Sequence, residues 1–409
     1  MFSPGVLPLS LKQVLDPVYL ANPYHLYRQL RAHDPVYWDE AMQAWVLTRY
    51  EEVQAVLRDP RCSKEHFPAD VSQFPEPMRE QGATILHILS RQMLFLDAPD
   101  HTRLRRLVSQ AFTPRRIALM RASIQALVNR LLDAVQGKEQ MDVIAEVAFP
   151  LPSIVIAEML GVPSEDREQF AIWTTAFGAL LDGTAHTPTE RAQALRGIAA
   201  FLSYFRRLIA QRHVHPQDDL IQALLDAKEQ DDTLREEEVL ANSFLLLAAG
   251  HGTTIHAIGN GLLALLQHPD QLQILRSDPT LLPAAIEELL RYDGPVQTTR
   301  RIAREPMEIG GKHIAAGQAL IACLGAANHD PERFVKPDQL DVRRTASRHL
   351  AFGHGSHFCL GAPLARLEIE IALASLLERF PALCLATTEP QWRPTIIFRV
   401  LKELPVVIS

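Results

Sequence analysis

The feature that most limits how this chain can fold is a run from Leu234 to about His268 that reads as one uninterrupted helix. Thr233 followed three residues later by Glu236 has the form of a capping box. Glu236, Glu237 and Glu238 place negative charge at the positive end of the helix dipole. Pro269 closes the far end. At 1.5 Å per residue the run spans roughly 50 Å. Its middle, F-L-L-L-A-A-G, is apolar on all sides, so the helix is expected to cross the core.

Further apolar positions at helical spacing predict helices over 118–136, 190–212 and 365–379. Strand signals are fewer. Residues 35–38 (P-V-Y-W) and 44–48 (A-W-V-L-T) can pair as a hairpin. A second strand-rich stretch spans about 296–323, with a Gly310-Gly311 turn inside it. A third is expected near the C-terminus, T-I-I-F-R-V-L followed by L-P-V-V-I. The fold class is mainly α with minor β. No linker, repeat or low-complexity tract interrupts the chain, so residues 1–409 are read as a single domain.

Composition narrows the function classes. The 409 residues are 47% apolar and 22% charged with a net charge of −7, an ordinary globular balance that gives no reason to expect nucleic acid or an anionic membrane as partner. The four cysteines, Cys62, Cys323, Cys359 and Cys384, are widely spaced, which favours a reducing compartment over a disulfide scaffold. The N-terminus lacks a basic region ahead of its apolar residues and reads as neither a signal peptide nor an anchor. A cytoplasmic protein is expected.

Four constellations carry chemistry. In A-F-G-H-G-S-H-F-C-L-G-A-P-L-A-R, residues 351–366, Gly353, Gly355 and Gly361 surround Cys359 just before an amphipathic helix. Glycines let backbone N–H groups approach the sulfur, and a helix N-terminus favours a thiolate. These are the requirements of an axial thiolate on haem iron. A zinc site of His354, His357 and Cys359 lacks a fourth ligand at normal spacing, and a structural Cys in a Gly turn is the bland alternative. Glu288 and Arg291 lie three apart on one helical face and can pair, with D-P-E-R-F at 330–334 able to supply a further partner. Within the long helix, A-G-H-G-T-T at 249–254 puts two glycines where each costs on the order of 1 kcal/mol relative to Ala. Either helices pack closely there, or the helix opens locally to admit a ligand. Thr253 can hydrogen-bond back to a carbonyl. His101 and Arg105 share a helical face and, with Arg301 and His357, could cradle two carboxylates.

Together these segments resemble the cytochrome P450 family of haem-thiolate monooxygenases, in its soluble bacterial form. The likeness covers nearly the whole chain: D-A-P-D-H-T-R-L-R-R-L-V at 97–108, A-G-H-G-T-T, E-E-L-L-R, D-P-E-R-F, the Cys359 loop and W-R-P-T-I-I-F-R at 392–399. The resemblance implies a fold in which the long helix crosses the core over a buried haem b. It implies Cys359 as the iron ligand and Phe352 as its shield. It implies His101, Arg105, Arg301 and His357 on the haem propionates, and Glu288–Arg291 as a structural ion pair completed by Arg333. Ala249 and Gly250 would lie over the distal face, and Thr253 would be the alcohol beside bound dioxygen. One departure stands out. The family usually has Glu or Asp directly before that threonine, and here the residue is Gly252. His251 and His256 are read as structural.

The implied activity is monooxygenation of a lipophilic small molecule by O2, in secondary metabolism. Two electrons would come from a separate ferredoxin and ferredoxin reductase, or a flavodoxin, since the chain has no flavin, nicotinamide or iron–sulfur motif. Arg103, Arg106, Arg115 and Arg116 would suit an acidic donor. Substrate walls are expected from about 70–95 and 165–190, and from Leu245, Ala249, Val296, Ile396 and Ile397. A peroxide-driven peroxygenase and a non-catalytic haem sensor are the competing readings.

Overall fold

The computed structural model describes residues 9–65, 71–74, 76–166, 172–173, 187–229, 232–345 and 348–408. The long helix is present as one α-helix, Glu236–Gln267, of 32 residues. It starts later than the sequence pattern suggests. Thr233 is taken up in a two-residue strand that pairs with Lys228, so it cannot cap the helix. Glu238 does the capping instead: its Oε2 accepts the Arg235 N–H at 2.9 Å, while the Glu238 N–H donates to the Arg235 carbonyl. Beyond Gln267 the chain turns at His268, and Pro269 opens a second helix, Pro269–Ser277.

The other predicted helices also form. The 118–136 segment is divided into Pro114–Leu119, capped by the Thr113 side chain, and Arg121–Asp133. Pro188–Val214 begins with a reciprocal capping box between Thr187 and Glu190. Ala362–Arg379 follows the cysteine loop.

The chain gathers into two compact units. One comprises Met1–Ser63, Gly259–Phe358 and Cys384–Val407. It is built on a five-stranded sheet in the order Val36–Asp39, Ala44–Leu47, Ala319–Cys323, Thr298–Ala303, Cys62–Ser63. The first two strands are the expected hairpin, with Trp38 opposite Trp45. Ala319–Cys323 has every residue buried. It runs parallel to Ala44–Leu47 and antiparallel to Thr298–Ala303. One side of the sheet packs Val36, Leu47, Leu320 and Ala322 against the helix Tyr50–Arg58. The other packs Val46 and Ile321 against Leu26 and Leu30 of the helix Tyr24–His33. Gly310 and Gly311 turn the hairpin Met307–Ile309/Lys312–Ile314 with φ of 54° and 73°. A Cβ on Gly310 would lie 2.7 Å from Val36 Cγ2, so the turn also needs glycine for space.

The C-terminal strand expectation holds only in part. Pro405–Val407 pairs with Cys384–Leu385. The T-I-I-F-R-V-L stretch makes isolated bridges only, Val296 with Phe398 and Trp392 with Leu401. Its hydrogen-bonding groups are diverted sideways. The Arg399 N–H donates to the Pro295 carbonyl, and its guanidinium reaches the Leu20 and Ala21 carbonyls and Asp293.

The second unit comprises Lys64–Ile258, Cys359–Leu383 and Ile408–Ser409. It is helical, with Ala362–Arg379 packed along Arg121–Asp133. Asp133–Arg379 and Arg121–Glu370 ion pairs tie those two helices on the outside. In this unit the long helix is buried without interruption from Val239 to Leu247. Among the described residues, no helix is long and apolar enough to cross a membrane.

Candidate functional site

Cys359 sits at the end of a turn that only glycine allows. Gly353 and Gly355 have φ of 72° and 73°. A Cβ on Gly355 would come within 2.6 Å of the Leu57 carbonyl oxygen. After the short 3-10 turn Gly355–His357, the chain extends through Phe358 and Cys359, and Ala362–Arg379 begins with a proline in its first turn. Cys359 retains exposed surface, whereas Cys62 and Cys323 are buried. Burial still pushes its thiol up. The Gly361 N–H, Arg105, the Ala362 N–H and Arg366 all act to bring it down. The free thiol is therefore the stable form until a cation binds it, and the surrounding donors favour the thiolate once one does. A Cβ on Gly361 would stand 3.9 Å from the sulfur, so glycine keeps that side open. Among the described residues, no three His, Cys, Asp or Glu side chains gather as a metal cage, which leaves Cys359 as a lone soft ligand and disfavours the zinc reading.

The helix Asp100–Ala111 brings His101 and Arg105 onto one face, as their spacing predicts. His101 is 3% exposed, and its N–H donates to the Asp97 carbonyl. Burial, then the neighbouring Arg105, lowers its pKa, so the imidazole is neutral near pH 7. Burial also lowers the Arg105 pKa, and Cys359 opposes that shift. Arg105 thus lies within electrostatic reach of the candidate ligand, inside the same unit. Arg103, between them in sequence, points elsewhere and pairs with Asp232 and Glu238. Arg116 pairs with Asp218. Arg103 and Arg116, both expected to greet an acidic partner, are therefore already engaged within the chain.

Along the long helix, the uninterrupted burial ends at Ala248, and Ala249 is exposed. The helix does not open there; it stays α-helical through Thr254. Close packing does not explain the glycines either. A Cβ on Gly252 would meet nothing within 4 Å, and one on Gly250 only Ile156 at 3.9 Å. What marks the segment is the two hydroxyls turned back into the helix. Thr253 Oγ1 donates to the Ala249 carbonyl at 2.8 Å, and Thr254 Oγ1 to Gly250 at 3.0 Å. With its hydrogen held inward, Thr253 presents an oxygen that accepts. His251 turns to the opposite side, its ring edge-on to Phe149 at 4.9 Å. Leu245, one turn before Ala249, is buried.

The remaining sequence-predicted residues lie in the other unit. Arg301, on the strand Thr298–Ala303, is 4% exposed and donates to Thr299 Oγ1 and the Arg300 carbonyl. Phe352 meets the Phe358 ring edge-on at 6.3 Å and the His349 ring at a tilt at 6.0 Å between centroids. His357 ends the 3-10 turn. Val296, Ile396 and Ile397 do come together: the Gln297 N–H donates to the Ile397 carbonyl and Thr298 Oγ1 to that of Ile396, beside the Val296–Phe398 bridge. Of the expected wall segments, residues 70, 75, 167–171 and 174–186 lie outside the described residues.

The Glu288–Arg291 pair forms in this unit, but Arg333 does not complete it. Arg333 lies over the Tyr50 ring at 5.0 Å. The second cation is Arg344, 2.9 Å from Glu288 Oε2. Sequence reasoning favoured Arg333 because it sits in a recognisable motif, whereas Arg344 carries no local signal. Also missed were Glu238, which looks like one of three interchangeable acids at a helix start, and Glu368, a fully enclosed carboxyl on the helix after Cys359.

The Cytochrome P450 family model matches residues 39–279 and 275–396. The chain is 44% identical to the "Biotin biosynthesis cytochrome P450" of Bacillus subtilis (strain 168) over 394 residues, covering 96% of this chain and 97% of that one. It is 42% identical to the "Cytochrome P450 monooxygenase PikC" of Streptomyces venezuelae over 413 residues, covering 99% and 94%. A crystal structure of P450BioI in complex with hexadec-9Z-enoic acid ligated acyl carrier protein superimposes with a TM-score of 0.87 at 43% identity, covering 96% of this chain and all of that one.

Proposed function

The chain belongs to the cytochrome P450 family, and from that membership we propose that Cys359 ligates a haem b whose distal side is served by Thr253. The donor set fits that group. A single soft sulfur sits at a helix N-terminus near Arg105 and two backbone N–H groups, and a helix with an exposed alanine and a side-chain-free glycine carries the candidate distal alcohol, Thr253. The observation that carries the reading is the glycine-shaped turn that ends on Cys359 directly before the N-terminus of Ala362–Arg379.

The protein is a monooxygenase acting on a lipophilic molecule with O2. When bound, the haem supplies activation of dioxygen for insertion of one oxygen atom into substrate. The chain's own residues do the rest. Cys359 holds the iron, with Phe352 assigned to its shielding. His101, Arg105, Arg301 and His357 are assigned to the two propionates. Leu245, Ala249, Val296, Ile396 and Ile397 are assigned to an apolar substrate wall that keeps bulk water out. Thr253 accepts a hydrogen bond on its distal side while its own hydrogen stays on Ala249. Gly252 provides no carboxylate, so protons reach Thr253 through water in the space beside it. Electrons come from a ferredoxin and its reductase, or a flavodoxin, in a cytoplasmic, single-domain enzyme. Long acyl chains, of the kind carried in the P450BioI complex, are the first substrates to test.

The test is spectral. Reduced protein under carbon monoxide should show the strongly red-shifted Soret band of thiolate ligation, and Cys359→Ser should abolish it. Hexadec-9Z-enoic acid should then shift the spin state of the wild-type protein. A wild-type protein without the red-shifted band would overturn the assignment. Product formation with peroxide alone, and none with a ferredoxin system, would instead establish the peroxygenase.

A further inference from the structure

We propose that Glu238 is a positioning residue that registers the helix carrying His101 and Arg105 against the helix carrying Ala249 and Thr253. This rests on the reading that those four residues serve the haem. Glu238 is 5% exposed and has no idle oxygen. Oε1 takes the Arg103 guanidinium, and Oε2 takes the Arg235 N–H that starts the long helix. Its carbonyl accepts from Asn242 Nδ2 at 2.8 Å, and Asn242 Oδ1 in turn accepts the Met93 N–H at 3.1 Å. The carboxylate therefore fastens Asp100–Ala111 to the first turn of the long helix, while the Glu238 main-chain carbonyl, through Asn242, ties the same turn to Met93–Phe95, which leads into Asp100–Ala111.

The geometry explains why this matters for direction and not only for cohesion. Arg103 is two residues from both His101 and Arg105, so on a helix it projects about 200° away from each. Holding Arg103 from one side fixes the rotation of Asp100–Ala111 about its own axis, and hence where His101 and Arg105 aim. On the long helix, Asn242, Ala249 and Thr253 recur at spacings of seven and four and share a face. The helix is continuous between them, so a shift at its first turn is carried along the rod. Arg91 pairs with Glu237 in the same turn, at 3.3 Å and more exposed. Surface pairs of that kind contribute little, whereas a buried acid deprived of its cation is costly.

The test uses holoenzyme carrying Glu238→Gln, Arg103→Gln or both, with Leu132→Ala as a core-destabilised control in the same unit. Haem transfer to apomyoglobin is followed well below every melting temperature. The two single variants should keep the red-shifted carbon-monoxide band yet lose haem about fivefold faster than wild type, the factor that a lost positional coupling of about 1 kcal/mol gives. The double variant should lose haem no faster than either single one. Leu132→Ala should lower the melting temperature without that acceleration. The inference is overturned if Glu238→Gln releases haem within twofold of wild type, if Leu132→Ala releases it as fast, or if the two single effects multiply. Absence of the red-shifted band in the wild-type protein would instead condemn the haem reading itself.

Discussion

Arg291 grips Glu288 at two points, Nε to Oε2 at 2.7 Å and Nη2 to Oε1 at 2.8 Å, and neither side chain has any exposed surface. Arg291 Nη1 donates to the carbonyls of Asn328 and Pro337, and the Asp341 N–H reaches Glu288 Oε1. The pair thus ties the helix Leu282–Asp293 to the 328–344 loop. Removing Glu288 strands the buried Arg291, and removing Arg291 leaves the buried Glu288 with Arg344 as its remaining cation. Glu288→Ala or Arg291→Ala should each destabilise by about 3–5 kcal/mol, and Arg291→Lys should recover little, because a point charge cannot replace the fork. Chemical denaturation of the three variants checks this. Unfolding of Arg291→Lys at the wild-type midpoint would remove the argument.

His251 makes stability depend on acidity. Burial lowers its pKa from 6.5 to about 4, and its Nε2 has no protein partner. In the unfolded chain the imidazole recovers its ordinary value. Between the two values the unfolded state binds the proton more tightly, so stability is lost as pH falls from 6.5 toward 4. The full loss is about 3 kcal/mol at one pH unit per 1.36 kcal/mol. His251→Gln should flatten that part of the stability–pH curve. An unchanged slope between the two proteins would show that another group titrates there.

Much of this was written plainly in the sequence, and the failures share a cause. The long helix, the Trp38–Trp45 hairpin and the glycine-bounded Cys359 turn are set by contacts within a few residues, so periodicity and spacing reveal them. The start of the long helix was misplaced because Thr233 is claimed by Lys228, a pairing that competes with capping. The stretch after Thr395 looked like a strand because its aliphatics have strand propensity, yet its backbone bonds go to Pro295 and neighbours far along the chain. Arg344 and the Arg103–Glu238 link were invisible for the same reason: any arginine can meet any acid, and only the tertiary fold chooses.

Glu368 titrates in the opposite sense to His251. It is 2% exposed, its Oε2 has no protein partner, and burial raises its pKa well above the usual carboxylate range. The folded state then holds the proton more tightly than the unfolded one. That stability is complete below the ordinary glutamate value and is lost as pH rises through the folded one. Glu368→Gln keeps the shape without the ionisation. It should match wild type near about pH 4 and exceed it near about pH 8.5. Equal unfolding free energies at the alkaline point would mean that the carboxyl finds a partner when charged.

Gly252 stands where relatives of this family usually carry an acid, and the space beside it is open. Gly252→Glu should therefore fold. It replaces a poor helix former inside a continuous helix, which favours folding by about 0.5 kcal/mol, and it sets a carboxylate four residues before His256. If water alone now carries protons to Thr253, a fixed acid next to it should shorten the route. The variant should turn more of its electrons into oxygenated product and fewer into peroxide, with a smaller solvent isotope effect on turnover, at an unchanged dissociation constant for the same substrate. Thr253→Ala, which removes the acceptor oxygen, should move the peroxide yield the other way, and adding Gly252→Glu to it should restore little. Electron, peroxide and product counts on the four proteins decide the matter: if Gly252→Glu leaves all three unchanged, the missing acid has no part in proton delivery.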